Sequence, residues 1–208
     1  MAAAAGARRT PEKLKTGVFV AINRLSPKKT GMKPENGAVM HLIFEKFRED
    51  DFADYLRLVG NADVMAMITE RALPETEARE EFAQLLANNT LHPDFGQFKV
   101  LDARGAFMGL GKLVLTQADN CEAELGYMLL PEYWGKGMGS RIATQLLGVA
   151  QAHGGQIERL FAIIDPANIP SRKILLRLGF VHHEFKDFDG LPGEILHYDL
   201  SKGNHENE

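Results

Sequence analysis

The chain has 208 residues, 45% of them apolar and 25% charged, which suits one well-cored globular domain and is too short for two catalytic ones. Apolar runs such as Leu113 to Leu115 are far too short for a bilayer span, so no membrane segment is expected; the single cysteine, Cys121, excludes an internal disulfide framework and a CxxC zinc pair, and points to a reducing cytoplasm. The net charge of −4 is uneven: residues 1–39 carry eight Lys/Arg against Glu12 and Glu35, which leaves an acidic body of −10 that favours cationic partners over nucleic acid.

Residues 1–39 read as a basic, flexible N-terminal extension. An alanine run, scattered Lys and Arg, and breakers at Gly31, Pro34 and Gly37 leave only Gly17 to Ile22 apolar, too short for a secretory core. A start at Met40 and an Ala- and Arg-rich targeting peptide are the other readings. The domain proper is expected over 40–202, with 203–208 a polar tail.

From Met40 the pattern is regular. His41 to Phe47 predicts a strand; Asp50 or Asp51 then caps a helix with Phe52, Tyr55, Leu56 and Val59 at i, i+3, i+4 and i+7, ended by Gly60. A second helix starts near Pro74, buries Phe82, Leu85 and Leu86, and stops at Asn88-Asn89. Three strands follow, Gln97 to Ala103, Ala106 to Gln117 and Cys121 to Leu129, whose short connections require antiparallel neighbours. Cys121, at a strand start, is expected to be a packing residue. Next come a helix from Met138 to His153, a strand from Arg159 to Ile164, a helix from Pro170 to Leu178, and two closing strands, Phe180 to Phe188 and Glu194 to Leu200, about the turn Asp189-Gly190. The fold class is α/β, a mixed antiparallel and parallel sheet with helices on both faces.

The densest chemical signal is Trp134-Gly135-Lys136-Gly137-Met138-Gly139-Ser140, between a strand and a helix. Glycines turn the backbone tightly, and free N–H groups at the positive end of a helix make an anion site suited to a pyrophosphate. The spacing is not that of a P-loop. It also fails the GxGxxG dinucleotide pattern, which needs a glycine at Ser140 and an acid at the end of the next strand, where Glu158 instead precedes it.

The turn resembles the [RQ]xxGx[GA] pyrophosphate motif of the GNAT superfamily of N-acetyltransferases, with Trp134 replacing Arg or Gln. Pro131-Glu132-Tyr133-Trp134-Gly135-Lys136-Gly137 is similar to its RimJ/RimL-type branch. Asn168-Ile169-Pro170-Ser171 with Leu178-Gly179-Phe180 resembles the family's NxxSxxxxxxLGF signature, and Glu124-Leu125-Gly126-Tyr127 the strand beside the pantetheine arm. Together these motifs span residues 41 to 200.

The resemblance implies acetyl-CoA as cosubstrate, no metal, and a primary amine as acceptor, either a peptide N-terminus or a small molecule. Two parallel strands would splay after a bulge near Leu125 to Tyr127, the pantetheine amides pairing with the backbone of Met128 and Leu130. The pyrophosphate would rest on Gly135, Lys136, Gly137, Gly139 and Ser140. Direct transfer needs a neutral amine, a held oxyanion and a proton for the thiolate. Glu124 is the expected general base, with Glu122 on the same strand face as the alternative and a solvated carboxylate as the structural reading. The Met128 N–H would hold the oxyanion. The superfamily's tyrosine donor falls at Leu175 and is absent; branch relatives place a serine at Ser171, which becomes the expected donor, with Asn168 ordering its turn. Tyr127 lines the acceptor cleft or packs beneath it.

Two other readings stay open: a non-catalytic acyl-CoA-binding module, supported by the missing tyrosine, and a polyamine or aminoglycoside acetyltransferase, suited to the acidic body. Acceptor contacts are expected from segment 50–90 and the turn near Asp187 to Gly190, and a homodimer is left open. His182 and His183 are adjacent on a strand and so cannot share a metal, and no HExxH or GxSxG motif occurs.

Overall fold

The structure, a computed structural model, describes residues 41–116, 121–153 and 156–201. The predicted extension and C-terminal tail lie outside the described residues. The elements are β1 (Ile43–Lys46), α1 (Phe52–Val59), α2 (Ala62–Met65), α3 (Glu75–Asn89), β2 (Gly96–Leu101), β3 (Phe107–Leu115), β4 (Glu122–Leu129), α4 (Met138–Ala152), β5 (Arg159–Ile164), α5 (Ile169–Arg177), β6 (Val181–Phe188) and β7 (Leu191–Asp199). They build a seven-stranded mixed sheet in the order β1-β2-β3-β4-β5-β7-β6, the expected fold class. All pairings are antiparallel except β4 with β5, where α4 makes the crossover a parallel neighbour requires.

Each face of the sheet has its own core. On one, Leu125, Tyr127 and Leu129 of β4 pack with Ile142 and Leu146 of α4 and Leu175 of α5. On the other, Met128 and Leu130 join Tyr55, Leu58, Phe82 and Leu85 of α1 and α3. The strand period of two thus sends alternate β4 residues to opposite layers. An aromatic nest closes the second core: Phe47 meets Tyr55, Phe82 and Phe107 edge-on, with ring centroids 5.9 to 6.3 Å apart.

Several sequence expectations shift. Pro74 is the cap of α3 and not its first-turn residue, and one turn of helix, α2, was not anticipated; Asn61 caps it by accepting from the Asp63 and Val64 N–H groups at 2.9 and 3.1 Å. Cys121 is exposed, which corrects the packing reading. It sits one residue ahead of β4, and its carbonyl accepts from the N–H groups of Glu158 and Arg159. Asn89 does more than stop α3. Buried, it pairs with Gln97 as a second backbone would, donating to its carbonyl at 2.9 Å and accepting from its N–H at 2.7 Å.

Candidate active site

β4 and β5 are paired only from Glu122–Arg159 to Glu124–Phe161. Beyond that, β4 runs on to Leu129 against β3, and β5 to Ile164 against β7, so the two parallel strands open a V in mid-sheet. The expected bulge is not what opens it: residues 123 to 129 stay in continuous register with β3. The divergence lies wholly on the β5 side.

The backbone assignments for the pantetheine arm move by one residue. Leu130 donates its N–H to the Met108 carbonyl at 2.9 Å, so it faces β3. In an antiparallel ladder, groups at i and i+2 face the same neighbour, so Met128 faces β3 as well. The expected roles of Met128 and Leu130 in pairing, and of the Met128 N–H in holding an oxyanion, are thereby corrected. Tyr127 and Leu129 turn their backbone toward the gap, and the Leu129 carbonyl accepts from Trp134 Nε1 at 2.7 Å. Trp134 thus straps the glycine turn to the end of β4, where the motif has Arg or Gln.

A one-turn helix at Pro131–Tyr133 leads into that turn. Gly135 and Gly137 have φ of +70° and +75°, a left-handed conformation that side chains resist, and Gly137 caps α4 without using a side chain. The first N–H groups of α4 therefore face outward at its positive end, beside Lys136 and Ser140. Gly139 is glycine for a different reason: a Cβ there would lie 2.9 Å from Cε2 of the Tyr127 ring.

α5 supplies the opposite lip. Asn168, 2% exposed, caps it by accepting from the Ser171 N–H at 3.2 Å, and Ser171 is equally buried on the first turn. A groove lined by Tyr127, Leu129, Trp134, Gly137, Gly139 and Ser171 runs between the two helix starts. The Tyr127 hydroxyl is buried with no protein hydrogen-bond partner. Burial pushes its phenol up to about 12, a little offset by the Ser171 hydroxyl nearby.

Glu124 lies elsewhere, on the α1–α3 face at the vertex of the V. It is 5% exposed; Oε2 is 2.6 Å from Lys112 Nζ, and Oε1 is buried without a partner. Beyond Lys112 stands Glu81, raised by burial and only partly lowered by the Tyr55 hydroxyl, which donates to it at 3.1 Å. Glu122, the alternative base, is solvent-facing and paired with Arg159 at 2.7 Å. The sequence reading missed Glu194, a carboxylate 1% exposed on β7 and held by Arg172 at 2.8 Å and His182 at 3.0 Å. No spacing links those three residues, which lie on β7, α5 and β6 and meet only in the folded chain. His183 instead stacks on His197, so the two adjacent histidines have separate partners. Among the described residues no group of three or more His, Cys, Asp or Glu is placed to hold a metal, and no helix is long and apolar enough to cross a membrane.

On the α1–α3 side, the connection after α2 meets the β6–β7 turn. Met67, Ile68, Glu70, Asp165, Phe188 and Leu191 line a shallow depression there.

The profile of the family described as an acetyltransferase (GNAT) domain matches residues 41–181. Solved structures share the architecture. A spermidine N-acetyltransferase from Vibrio cholerae, in complex with CoA and spermine, is 20% identical with a TM-score of 0.64, covering 77% of this chain and 96% of its own. A GNAT-family acetyltransferase from Bacillus anthracis is 18% identical with a TM-score of 0.61, covering 77% and 95%. An acetyltransferase from Agrobacterium tumefaciens is 17% identical with a TM-score of 0.64, covering 83% and 98%. No curated protein sequence matches the chain. A family profile matched over two thirds of the sequence, on a sheet that opens beside a glycine turn, establishes that the chain belongs to the GNAT acetyltransferase family and is an acetyl-CoA-dependent N-acetyltransferase.

Proposed function

We propose that the protein transfers the acetyl group of acetyl-CoA to a primary amine by direct attack in a ternary complex, and that the acceptor is a small cationic amine. The observation that carries the reading is the opening of β4 from β5 beside a groove that runs between the helix starts of α4 and α5. A pyrophosphate would be held by the N–H groups of Gly135, Lys136, Gly137, Gly139 and Ser140, and the pantetheine arm by the backbone of Tyr127 and Leu129.

The acceptor nitrogen enters from the α1–α3 face. Glu124, through its unpartnered oxygen and a bridging water, takes the proton the nitrogen sheds as it bonds to the acetyl carbon. The C–S bond then breaks, and the Ser171 hydroxyl, on the turn that the Asn168 cap orders, passes a proton to the departing thiolate as it takes one from water. The Pro131 to Gly137 run and Ser171 favour the RimJ/RimL-type branch.

Glu70 and Asp165 at the far depression, together with the acidic body, favour a cation over a neutral or anionic acceptor. The bound spermine of the Vibrio cholerae enzyme belongs to that protein, and its fold is the one shared here. Incubation with acetyl-CoA and a mixed pool of peptides and amines, read by mass spectrometry with thiol release in parallel, tests the proposal. Acetylated polyamine-type products are expected. Acetylation of peptide N-termini alone would overturn the acceptor class. Cofactor binding without thiol release for any amine would leave the non-catalytic acyl-CoA module.

A further inference from the structure

Tyr127 carries a group that the fold itself does not use. Its position on β4 sends the ring toward α4 and α5, where the residue is 2% exposed and its hydroxyl makes no hydrogen bond to protein. Buried hydroxyls are normally satisfied, and phenylalanine would fill the same space without an orphaned oxygen. The ring is also held in place: glycine at 139 leaves room for its edge, since a Cβ there would come within 2.9 Å. Packing therefore explains the ring and leaves the oxygen unexplained. That oxygen belongs to a side chain lining the groove between the two helix starts, near Ser171. With its pKa pushed up to about 12, the phenol keeps its proton at neutral pH and can only donate or accept as a neutral hydroxyl.

We propose that the Tyr127 hydroxyl is a cofactor-binding group, donating a hydrogen bond to the thioester end of the acyl-CoA arm beside Ser171. This rests on the reading of the groove as the acyl-CoA site. The hydroxyl is then unsatisfied only in the empty protein, and binding the arm completes it. Leu175, where the superfamily's tyrosine donor would fall, is fully buried in the core, so it offers the arm no hydroxyl and Tyr127 approaches from the sheet instead.

The test is Tyr127→Phe in the full chain, with the thermal midpoint of the free protein and two affinities, for acetyl-CoA and for adenosine 3′,5′-bisphosphate, which lacks the arm. The expected result is a free-protein midpoint equal to wild type or higher, about tenfold weaker acetyl-CoA binding, and unchanged bisphosphate binding. Equal acetyl-CoA affinity in both proteins would overturn the assignment. So would a lowered midpoint with the same loss for both ligands, since the hydroxyl would then have a structural partner. Wild-type protein that binds neither ligand would instead bring down the acyl-CoA reading itself. Should the variant not fold, the 13Cζ resonance of Tyr127 in wild type serves: a shift on saturation with acetyl-CoA but not with the bisphosphate supports the contact, and no shift with either removes it.

Discussion

Glu124 and Ser171 illustrate how burial changes the meaning of a residue. A strand carboxylate read from sequence is by default solvated, yet Glu124 is buried, with Lys112 as its counter-charge and one oxygen to spare. Removing one partner of such a pair strands the other charge. Lys112→Met is therefore expected to lower unfolding free energy by about 3–5 kcal/mol, measured by denaturant titration. Glu124→Gln keeps the shape and an acceptor for Lys112, so it should cost less stability while lowering kcat on the order of 10²-fold. Wild-type turnover in that variant, with chemistry limiting, would reduce Glu124 to a structural ion pair. Ser171 separates in the opposite way. Asn168 accepts from the Ser171 N–H, which alanine retains, so Ser171→Ala keeps that capping hydrogen bond of α5. Cofactor affinity should stay near wild type and kcat fall on the order of 10²-fold, because the thiolate's proton is withdrawn. Unchanged kcat at saturating acetyl-CoA would remove Ser171 from the mechanism.

Among the elements, the glycine turn holds two glycines that a motif treats alike and physics does not. Gly137 has a left-handed φ and open space around its missing side chain, whereas Gly139 has ordinary backbone and the Tyr127 ring where a Cβ would go. Gly139→Ala should therefore act through packing, costing about 1–3 kcal/mol as the ring is displaced. Gly137→Glu puts a negative charge at the mouth of an anion site. It should abolish acetyl-CoA binding by calorimetry, at a stability cost of only about 1 kcal/mol for the strained φ. A Gly137→Glu protein that still binds would place the pyrophosphate elsewhere. This turn was legible in the sequence because glycine spacing records backbone conformation directly. Two other features of the groove were not. The backbone partners of the arm depend on which way β4's N–H groups face, a register that only the Leu130–Met108 hydrogen bond reveals, and Tyr127's orphaned hydroxyl depends on burial. α2 escaped as well, since one helical turn shows no period and its only mark is the Asn61 cap.

Across the whole molecule, element order was readable because strand and helix periods alternate cleanly from Ile43 onward, and short turns allow only antiparallel neighbours for β2, β3 and β4. What the periods do not encode is the pairing of distant strands: β7 lies between β5 and β6, and that placement brings Glu194 to Arg172 and His182. Among the described residues, the two cores and the groove draw on positions from Leu42 to Leu200. The family profile begins at residue 41, and on that ground a chain lacking residues 1–39 is expected to keep the wild-type thermal midpoint. Its response to ligand follows from mass action, since a molecule that binds only the folded state stabilises it by about 2.7 kcal/mol at a hundredfold excess over Kd. Acetyl-CoA should thus raise the midpoint of the shortened and the full chain equally, while NADH, whose dinucleotide pattern the turn does not match, should raise neither. A shortened protein that folds but no longer responds to acetyl-CoA would mean that residues 1–39 complete the groove. Equal stabilisation by NADH would mean that the glycine turn selects a pyrophosphate without selecting the pantetheine arm, and the opening between β4 and β5 would then lose its assigned purpose.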